Sequence, residues 1–274
     1  MTAALLCAIV AFAPVETVKD ITYSTAGTTE LKADLYLPDG DSATPRPLVI
    51  AVHGGSWMTG NRNDMAPIAN TLAGSGFACA TVSYRLAPAT KWPAMIDDVQ
   101  SAVRYFREHA EEYNIDPNRI GAIGVSAGGH LSLLAGSMET RDTTVARTAP
   151  SSRVKVVINI FGPTDLTNDF PAALANYMSQ QVLGKPFSEA ADLIKQFSPV
   201  THITSRSAPT FTVHGDADTL VPVMQAKRLK EALDRAGVKN DLVIVSGMGH
   251  EDPMRKPGGP EAVAKAYEFL KENL

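Results

Sequence analysis

The chain alternates between short apolar runs and longer segments in which apolar residues recur at helical spacing. Residues 48–52, 78–82 and 120–125 are almost continuously apolar, which is typical of parallel strands covered on both faces. After Pro93, apolar residues recur every three or four positions up to Ala110, which indicates an amphipathic helix. Strands that lead into helices in this order predict an α/β fold with a mostly parallel, doubly wound sheet flanked by helices.

The same reasoning predicts eight strands in one domain. The remaining strands are expected at residues 18–23, 31–37, 154–161, 210–213 and 242–245, with further helices from 127 onward, at 223–236 and at 263–270. The helix after the third strand is expected to be capped by Asn63 or Asp64 and to end near Gly74. No long linker or internal repeat interrupts the pattern, so residues 15–274 are predicted to form a single domain.

Composition and charge restrict the classes of function. Hydrophobic residues make up 45% of the 274 positions and charged residues 20%, which excludes a disordered, collagen-like or coiled-coil chain. The formal net charge is −4, and the absence of long like-charge runs argues against nucleic acid or an anionic membrane surface as a partner. Neither zinc-ligand spacing nor a phosphate-binding glycine loop occurs, so no metal or other cofactor is expected. The expected partner is a small molecule, and monomer and dimer both stay open.

Residues 3–13 form the one long apolar run of the sequence. At 11 residues the run is shorter than the roughly 20 that a membrane-spanning helix needs. It resembles the apolar core of a secretory signal, with Ala11-Phe12-Ala13 as a small-x-small site, although no Lys or Arg precedes it and Pro14 would follow the cut. Residues 1–14 are therefore interpreted as a signal remnant or as an N-terminal tail. Secretion or a periplasmic location is the expectation, with a cytoplasmic one left open.

A candidate nucleophile lies in the sequence Gly124-Val125-Ser126-Ala127-Gly128. This G-x-S-x-G pattern follows an apolar strand and opens a helix. In that context the two glycines allow a sharp turn that exposes a strained serine hydroxyl. The alternative is an ordinary glycine-rich turn with a capping serine.

A serine hydroxyl needs a base to take its proton, and the base needs an acid to hold its tautomer. Of the six histidines, His250 is the predicted base, because its loop follows the last strand and reaches the carboxyl edge of the sheet. Asp218 is the predicted acid, and Asp216 is the alternative that more readily braces the turn. The chain order Ser126, Asp218, His250 is the one expected for a nucleophile elbow on such a sheet.

The remaining site predictions concern the oxyanion and the substrate. The backbone N–H groups of Gly55, Ser56 and Ala127 are the candidate oxyanion donors, with the Trp57 amide as an alternative. Trp57 and Met58 either line an apolar substrate pocket or cover a core edge. Asp165 is a weaker pocket candidate that more often would cap a loop.

One charged residue near the site is expected to serve the fold. Arg85 is expected to pair with Asp97 or Asp98 and to brace the fold rather than bind substrate.

The sequence resembles α/β-hydrolases, close to the hormone-sensitive-lipase-like and feruloyl or acetyl esterase branches. The matching segments are HGGSW at 53–57, SYRLAP at 83–88, WPAMIDDV at 92–99, GVSAGGHLSLLAG at 124–136, FGPTDL at 161–166, HGDADTLVP at 214–222 and GMGHE at 247–251. The resemblance implies ester hydrolysis through an acyl-enzyme, with the roles given above for Ser126, Asp218 and His250. Ser56 stands where the lipase-like branch usually has a third glycine, and the helical N-terminal cap of that branch is missing. Both differences favour the compact, feruloyl-esterase-like branch without a large cap domain.

These observations predict a serine carboxylesterase for short-chain or aromatic (feruloyl- or acetyl-type) esters, such as acylated plant carbohydrates or phenolic esters. Three alternatives stay open: an amide-cleaving hydrolase of the peptidase or formamidase type, a lipase, and a non-catalytic hydrolase-like binding protein. Residues 163–200 are the one stretch able to roof the pocket, either as a small lid or as a packed surface helix pair.

Overall fold

The computed structural model describes residues 15–40, 42–140, 146, 148–170 and 172–274. Their centre is an eight-stranded sheet with the order β1-β2-β4-β3-β5-β6-β7-β8. The strands are β1 Val15–Ala26, β2 Thr29–Pro38, β3 Arg46–Val52, β4 Ala78–Val82, β5 Ile115–Val125, β6 Val157–Ile160, β7 Thr210–Gly215 and β8 Asn240–Val245. The pairs among β3 to β8 are parallel, whereas β1 and β2 form an antiparallel edge. The prediction of a mostly parallel, doubly wound sheet is confirmed.

Helices cover both faces of this sheet. The α-helices are α1 Ala66–Gly74, α2 Ala94–Glu108, α3 Ala127–Ser137, α4 Ala172–Met178, α5 Ala191–Phe197, α6 Met224–Arg235 and α7 Gly259–Asn273. One buried cluster joins the sheet to α2, α3, α5 and α6. A second cluster joins the opposite face to α1 and α7. None of the helices in the described ranges is long and apolar enough to cross a membrane.

The start of the first helical region differs from the prediction. Neither Asn63 nor Asp64 is the cap, because a short 3₁₀ turn, Arg62–Met65, precedes α1. Asn61 caps this turn: its side chain accepts a hydrogen bond from the Asn63 N–H, and the Asp64 carboxylate accepts one from the Asn61 N–H. The prediction missed this reciprocal capping box, in which the acid occupies the third position of the turn and not the cap itself.

Arg85 forms an ion pair with Asp98, which is one of its two predicted partners. Its guanidinium Nη2 lies 2.6 Å from Asp98 Oδ1, and its backbone N–H donates to Asp98 Oδ2 over 2.8 Å. Burial raises the pKa of the Asp98 carboxyl, although the hydrogen bonds and charge of Arg85 oppose that shift. The pair ties the loop after β4 to α2.

The segment 163–200 packs onto the body of the protein. Val182 and Phe197 are fully or almost fully buried, and the Trp92 N–H donates to the Val182 carbonyl over 2.9 Å. The Gln225 side chain accepts a hydrogen bond from the Thr164 backbone N–H, and Ser198 Oγ accepts one from the Leu166 backbone N–H. Residues 1–14, predicted to be a signal remnant or an N-terminal tail, lie outside the described residues.

Removing the cation from the Arg85–Asp98 pair would leave a buried carboxylate without compensation. We therefore expect Arg85→Met to lower the free energy of unfolding by about 3 kcal/mol, as measured by urea denaturation. The matched control is Arg235→Met, which breaks an exposed pair with Glu231 and should cost less than about 1 kcal/mol. Equal losses in the two variants would contradict the bracing role.

Candidate active site

Ser126 lies at a strained turn between β5 and α3. Its backbone has φ 55° and ψ −119°, a conformation that a non-glycine residue rarely adopts. The turn closes because its glycine neighbours lack side chains: a Cβ on Gly124 would collide with the backbone of Gly128, and a Cβ on Gly128 would collide with the Val52 carbonyl of β3. The Ser126 N–H donates to the Ile160 carbonyl over 2.9 Å. This close approach of three backbones holds the hydroxyl at the carboxyl edge of the sheet.

The structure brings the three predicted residues Ser126, His250 and Asp218 into one chain of hydrogen bonds. His250 Nε2 lies 2.8 Å from Ser126 Oγ, and His250 Nδ1 lies 2.7 Å from Asp218 Oδ2. The carboxylate can only accept, so Nδ1 carries the proton and Nε2 is free to accept the serine proton. The geometry is that of a nucleophile, a base and an orienting acid.

Asp218 is held as a buried carboxylate. Its Oδ1 accepts hydrogen bonds from the backbone N–H groups of Leu220 and Val221, over 2.9 and 2.8 Å. Burial raises the pKa of Asp218, but hydrogen bonds with His214, His250 and the Val221 N–H outweigh it, so the pKa lies well below its usual range. Asp218 is therefore ionised at any pH at which the protein would work.

His214 is a neighbour of Asp218 that the sequence reasoning did not assign to this site. It is fully buried at the end of β7. Its Nε2 lies 2.8 Å from the Val221 carbonyl and 3.5 Å from Asp218 Oδ2. The spacing of four residues between His214 and Asp218 was the available signal, because His214 lies at the end of β7 and Asp218 in the loop that follows it.

Asp216, the alternative acid, has a different position. It is exposed, and its Oδ1 accepts a hydrogen bond from the Gly247 N–H. Asp216 thereby braces the loop that carries His250 and makes no recorded contact with the imidazole.

The candidate oxyanion donors lie on a tight loop after β3. Gly55, Ser56 and Trp57 have φ angles of 106°, 53° and 62°, and the Gly55 carbonyl accepts hydrogen bonds from the Met58 and Thr59 N–H groups. Gly55 and Ser56 line the same cavity as Ser126. Among the described residues, no hydrogen-bond acceptor is recorded for the backbone N–H groups of Gly55, Ser56 or Ala127. These amides are thus available to a ligand oxygen.

Trp57, Met58 and Asp165 do not line the cavity that contains Ser126, so their assignment to the substrate pocket is corrected. Trp57 is 2% exposed and packs against the rings of His130 and Phe197, and Met58 packs against the same buried cluster. Asp165 accepts hydrogen bonds from the Thr167 N–H and the Asn168 side chain. Trp57 and Met58 pack against the core because their side chains are large and apolar. The short polar side chain of Asp165 stabilises its own turn.

His130 lies one helical turn after Ser126 and is fully buried. Its Nε2 lies 2.6 Å from the Phe197 carbonyl, and its Nδ1 accepts from Trp57 Nε1 over 3.3 Å. Burial lowers the pKa of His130 to about 3, a shift that the hydrogen bond to Phe197 only partly opposes. The neutral ring connects α3 to the loop of the candidate oxyanion donors.

A cavity of about 790 Å³ opens at Ser126 and His250. The ring of Phe161, which the sequence reasoning also missed, packs 4.6 Å from the His250 ring between centroids and lines the cavity. From the site the cavity continues between α1 and α7. In the part of the chain that the structure describes, no group of three or more His, Cys, Asp or Glu side chains is arranged to hold a metal ion.

The sheet, the strained serine turn, the acid after β7 and the histidine after β8 define an α/β-hydrolase. The chain belongs to the BD-FAE family, whose model matches residues 33–233.

Comparison with individual proteins gives consistent relatives. Esterase LipC of Mycobacterium tuberculosis is 31% identical over 215 residues, which cover 75% of this chain and 53% of LipC. The chain spans about half the length of the curated relatives it matches.

Two solved structures share the fold over nearly the whole chain. A truncated carbohydrate esterase from gut microbiota superposes with a TM-score of 0.79 at 29% identity, covering 94% of this chain and 96% of the esterase. Thermogutta terrifontis esterase 2, phosphonylated by sarin, superposes with a TM-score of 0.80 at 26% identity, covering 96% of this chain and 95% of that one.

Because His130 is buried in its neutral form, we expect the free energy of unfolding to decrease as the pH is lowered. The unfolded chain protonates this histidine near pH 6.5 whereas the folded protein does not until about pH 3, so stability falls as the pH is lowered from 6.5. Between pH 7 and 4.5 we expect the wild type to lose about 2 kcal/mol more than His130→Gln does, measured by urea denaturation at each pH. Ser188→Ala, at an exposed serine, is the control, because it removes no ionisable group, and it should keep the wild-type pH dependence. Parallel curves for all three proteins would contradict this assignment.

Proposed function

We propose that this chain is a serine carboxylesterase that uses Ser126, His250 and Asp218. The observation that carries the proposal is the hydrogen-bond chain from Asp218 Oδ2 through the His250 ring to Ser126 Oγ, at the end of a cavity large enough for a small-molecule ester. Similarity to LipC and to the two esterase structures supports the same activity.

In the first half of the reaction, Ser126 Oγ attacks the ester carbonyl while His250 Nε2 takes the serine proton. The resulting imidazolium lies against the ionised Asp218, which stabilises its charge and keeps Nδ1 protonated. His250 then donates the proton to the departing alcohol, and the acyl group stays bonded to Ser126.

The oxyanion that forms in this step needs donors that are already in place. The free N–H groups of Gly55, Ser56 and Ala127 are the proposed donors, and Ala127 adds the positive end of the α3 dipole. In the second half, water attacks the acyl-enzyme with His250 again as the base, and Ser126 is regenerated.

Short-chain or aromatic acyl esters, including acetyl and feruloyl esters of carbohydrates, are the proposed substrates. The likeness to a carbohydrate esterase supports this class. Structures of Thermogutta terrifontis Est2 with propionate or butyrate bound support small acyl groups.

The nucleophile is tested by Ser126→Ala, assayed on p-nitrophenyl acetate and butyrate beside methyl ferulate and the matching p-nitroanilides. Removing the nucleophile of such a triad costs on the order of 10⁶ in turnover, and we expect loss to the background rate. The control is Ser188→Ala, at an exposed serine, which should keep wild-type rates. If the wild type hydrolyses none of the esters, the proposed esterase activity is refuted. If it hydrolyses the p-nitroanilides and none of the esters, the protein is an amidase.

The acid is tested by comparing Asp218→Asn with Asp216→Asn. An amide at 218 cannot hold the proton on Nδ1, so we expect kcat to fall by about 10⁴, measured on p-nitrophenyl butyrate. Asp216→Asn removes only a brace from the histidine loop and should cost less than about tenfold. The reverse order of effects would make Asp216 the acid.

A further inference from the structure

We propose that the cleft between α1 and α7 binds the acyl group, and that it extends the substrates of the proposed esterase to longer, uncharged, apolar acyl chains. This inference rests on the proposed esterase function and specifies its substrate beyond the short-chain esters considered above.

The cleft is continuous with the reactive hydroxyl. Gly55, Ser56 and Ser126 lie at one end of the same cavity whose walls are formed further along by Ile68 and Thr71 of α1 and by Val263, Ala264 and Tyr267 of α7. From Pro260 to Tyr267, α7 rises about 10 Å, so the walls extend well past the volume of an acetyl group. The total of about 790 Å³ lies in the range of sites that enclose a complete organic ligand, roughly 300–1,000 Å³.

The walls are apolar, and the polar groups at the mouth are already engaged. Three carboxylates line the cavity: Asp64, Glu251 and Asp252. Asp64 accepts from the Asn61 N–H, Asp252 accepts from the Met254 N–H, and Glu251 pairs with Lys256 over 3.1 Å. Among the described residues that line the cavity, none is a lysine or an arginine. An acyl chain ending in a carboxylate would therefore meet like charges and no cation.

Exposed apolar side chains at the rim point to the same class of ligand. Met254 is 56% exposed and Leu220 is 40% exposed, and both line the cavity. Covering such side chains with an apolar chain removes them from water, which is favourable in proportion to the area covered.

Ser126 and His250 both line this cavity, and the order of the chemical steps is our reason for assigning the cleft to the acyl group. The alcohol oxygen has to lie beside His250 Nε2 to receive its proton, and the alcohol then leaves. The acyl group remains bonded to Ser126 through both steps, so it is the part of the ester that a cleft beginning at Ser126 and Gly55 retains.

Esters with one leaving group and different acyl chains test the inference. For p-nitrophenyl acetate, butyrate, hexanoate and octanoate, kept below their micelle thresholds, we expect kcat/KM to rise by at least about tenfold from butyrate to octanoate, since each buried methylene is worth up to about fourfold. The mono-p-nitrophenyl ester of adipic acid should react at least about tenfold more slowly than the hexanoate.

A pair of tryptophan variants locates the effect in the cleft. Ala264 is exposed, so Ala264→Trp places an indole in the cleft without entering the core. We expect it to lower kcat/KM for the octanoate at least about tenfold more than kcat/KM for the acetate, with folding checked separately by urea denaturation. Lys265→Trp, at the next position of α7 but outside the cleft, is the control and should change neither rate.

The outcomes separate the two proposals. If acetate and butyrate are hydrolysed but longer chains give no gain and Ala264→Trp slows all esters alike, the cleft is not the acyl site and the esterase function stands. If the wild type hydrolyses none of the esters, the proposed function fails and the acyl site fails with it.

Discussion

The close packing of β3, β5 and the first turn of α3 is the constraint on which the site depends. Backbone atoms of Gly124, Gly128 and Val52 approach so closely that a side chain on either glycine would not fit. This contact forces Ser126 into its strained conformation and brings the β3 loop with Gly55 and Ser56 beside it. The nucleophile and the candidate oxyanion donors are thus placed by one packing event. The strain is tolerated because the neighbouring strand segments, residues 48–52 of β3 and 157–160 of β6, are buried and hydrogen-bonded to β5.

The second requirement is an ionised acid in a buried place. Burial alone would favour a neutral Asp218, and this cost is offset by backbone N–H donors at 220 and 221 and by the rings of His214 and His250. The carboxylate in turn holds the His250 ring toward Ser126. In contrast to Asp218, which is buried in its ionised form, His130 is buried in its neutral form, with hydrogen-bond partners that suit that form. The neighbours of His250 therefore fix which of its nitrogens carries the proton, and the neighbours of His130 suit a neutral ring.

The cleft between α1 and α7 is built from other elements than those that carry Ser126, Asp218 and His250. The reacting groups all belong to loops at the carboxyl edge of the sheet, whereas the cleft walls come from two helices that pack on the same face. The segment 163–200, which was expected either to roof the pocket or to pack as a surface pair, contributes buried residues such as Phe197 to the opposite cluster. None of its described residues lines the cavity at Ser126. The walls of the cavity beyond Ser126 therefore come from α1 and α7.

Local pattern was sufficient for the strand positions, the mostly parallel sheet, the serine turn and the positions of Asp218 and His250. Apolar runs, glycine spacing and loop position all depend on residues adjacent in the chain, and a parallel sheet necessarily gathers its loops at one edge. Tertiary structure decided the rest. In the folded protein Arg85 pairs with Asp98, and Asn61 caps the turn before α1. Trp57 and Met58 pack in the core, and a cleft lies between two helices about 190 residues apart in sequence. Such outcomes depend on which side chains fill which volume across the whole chain, and packing between distant residues leaves no periodic trace in the sequence.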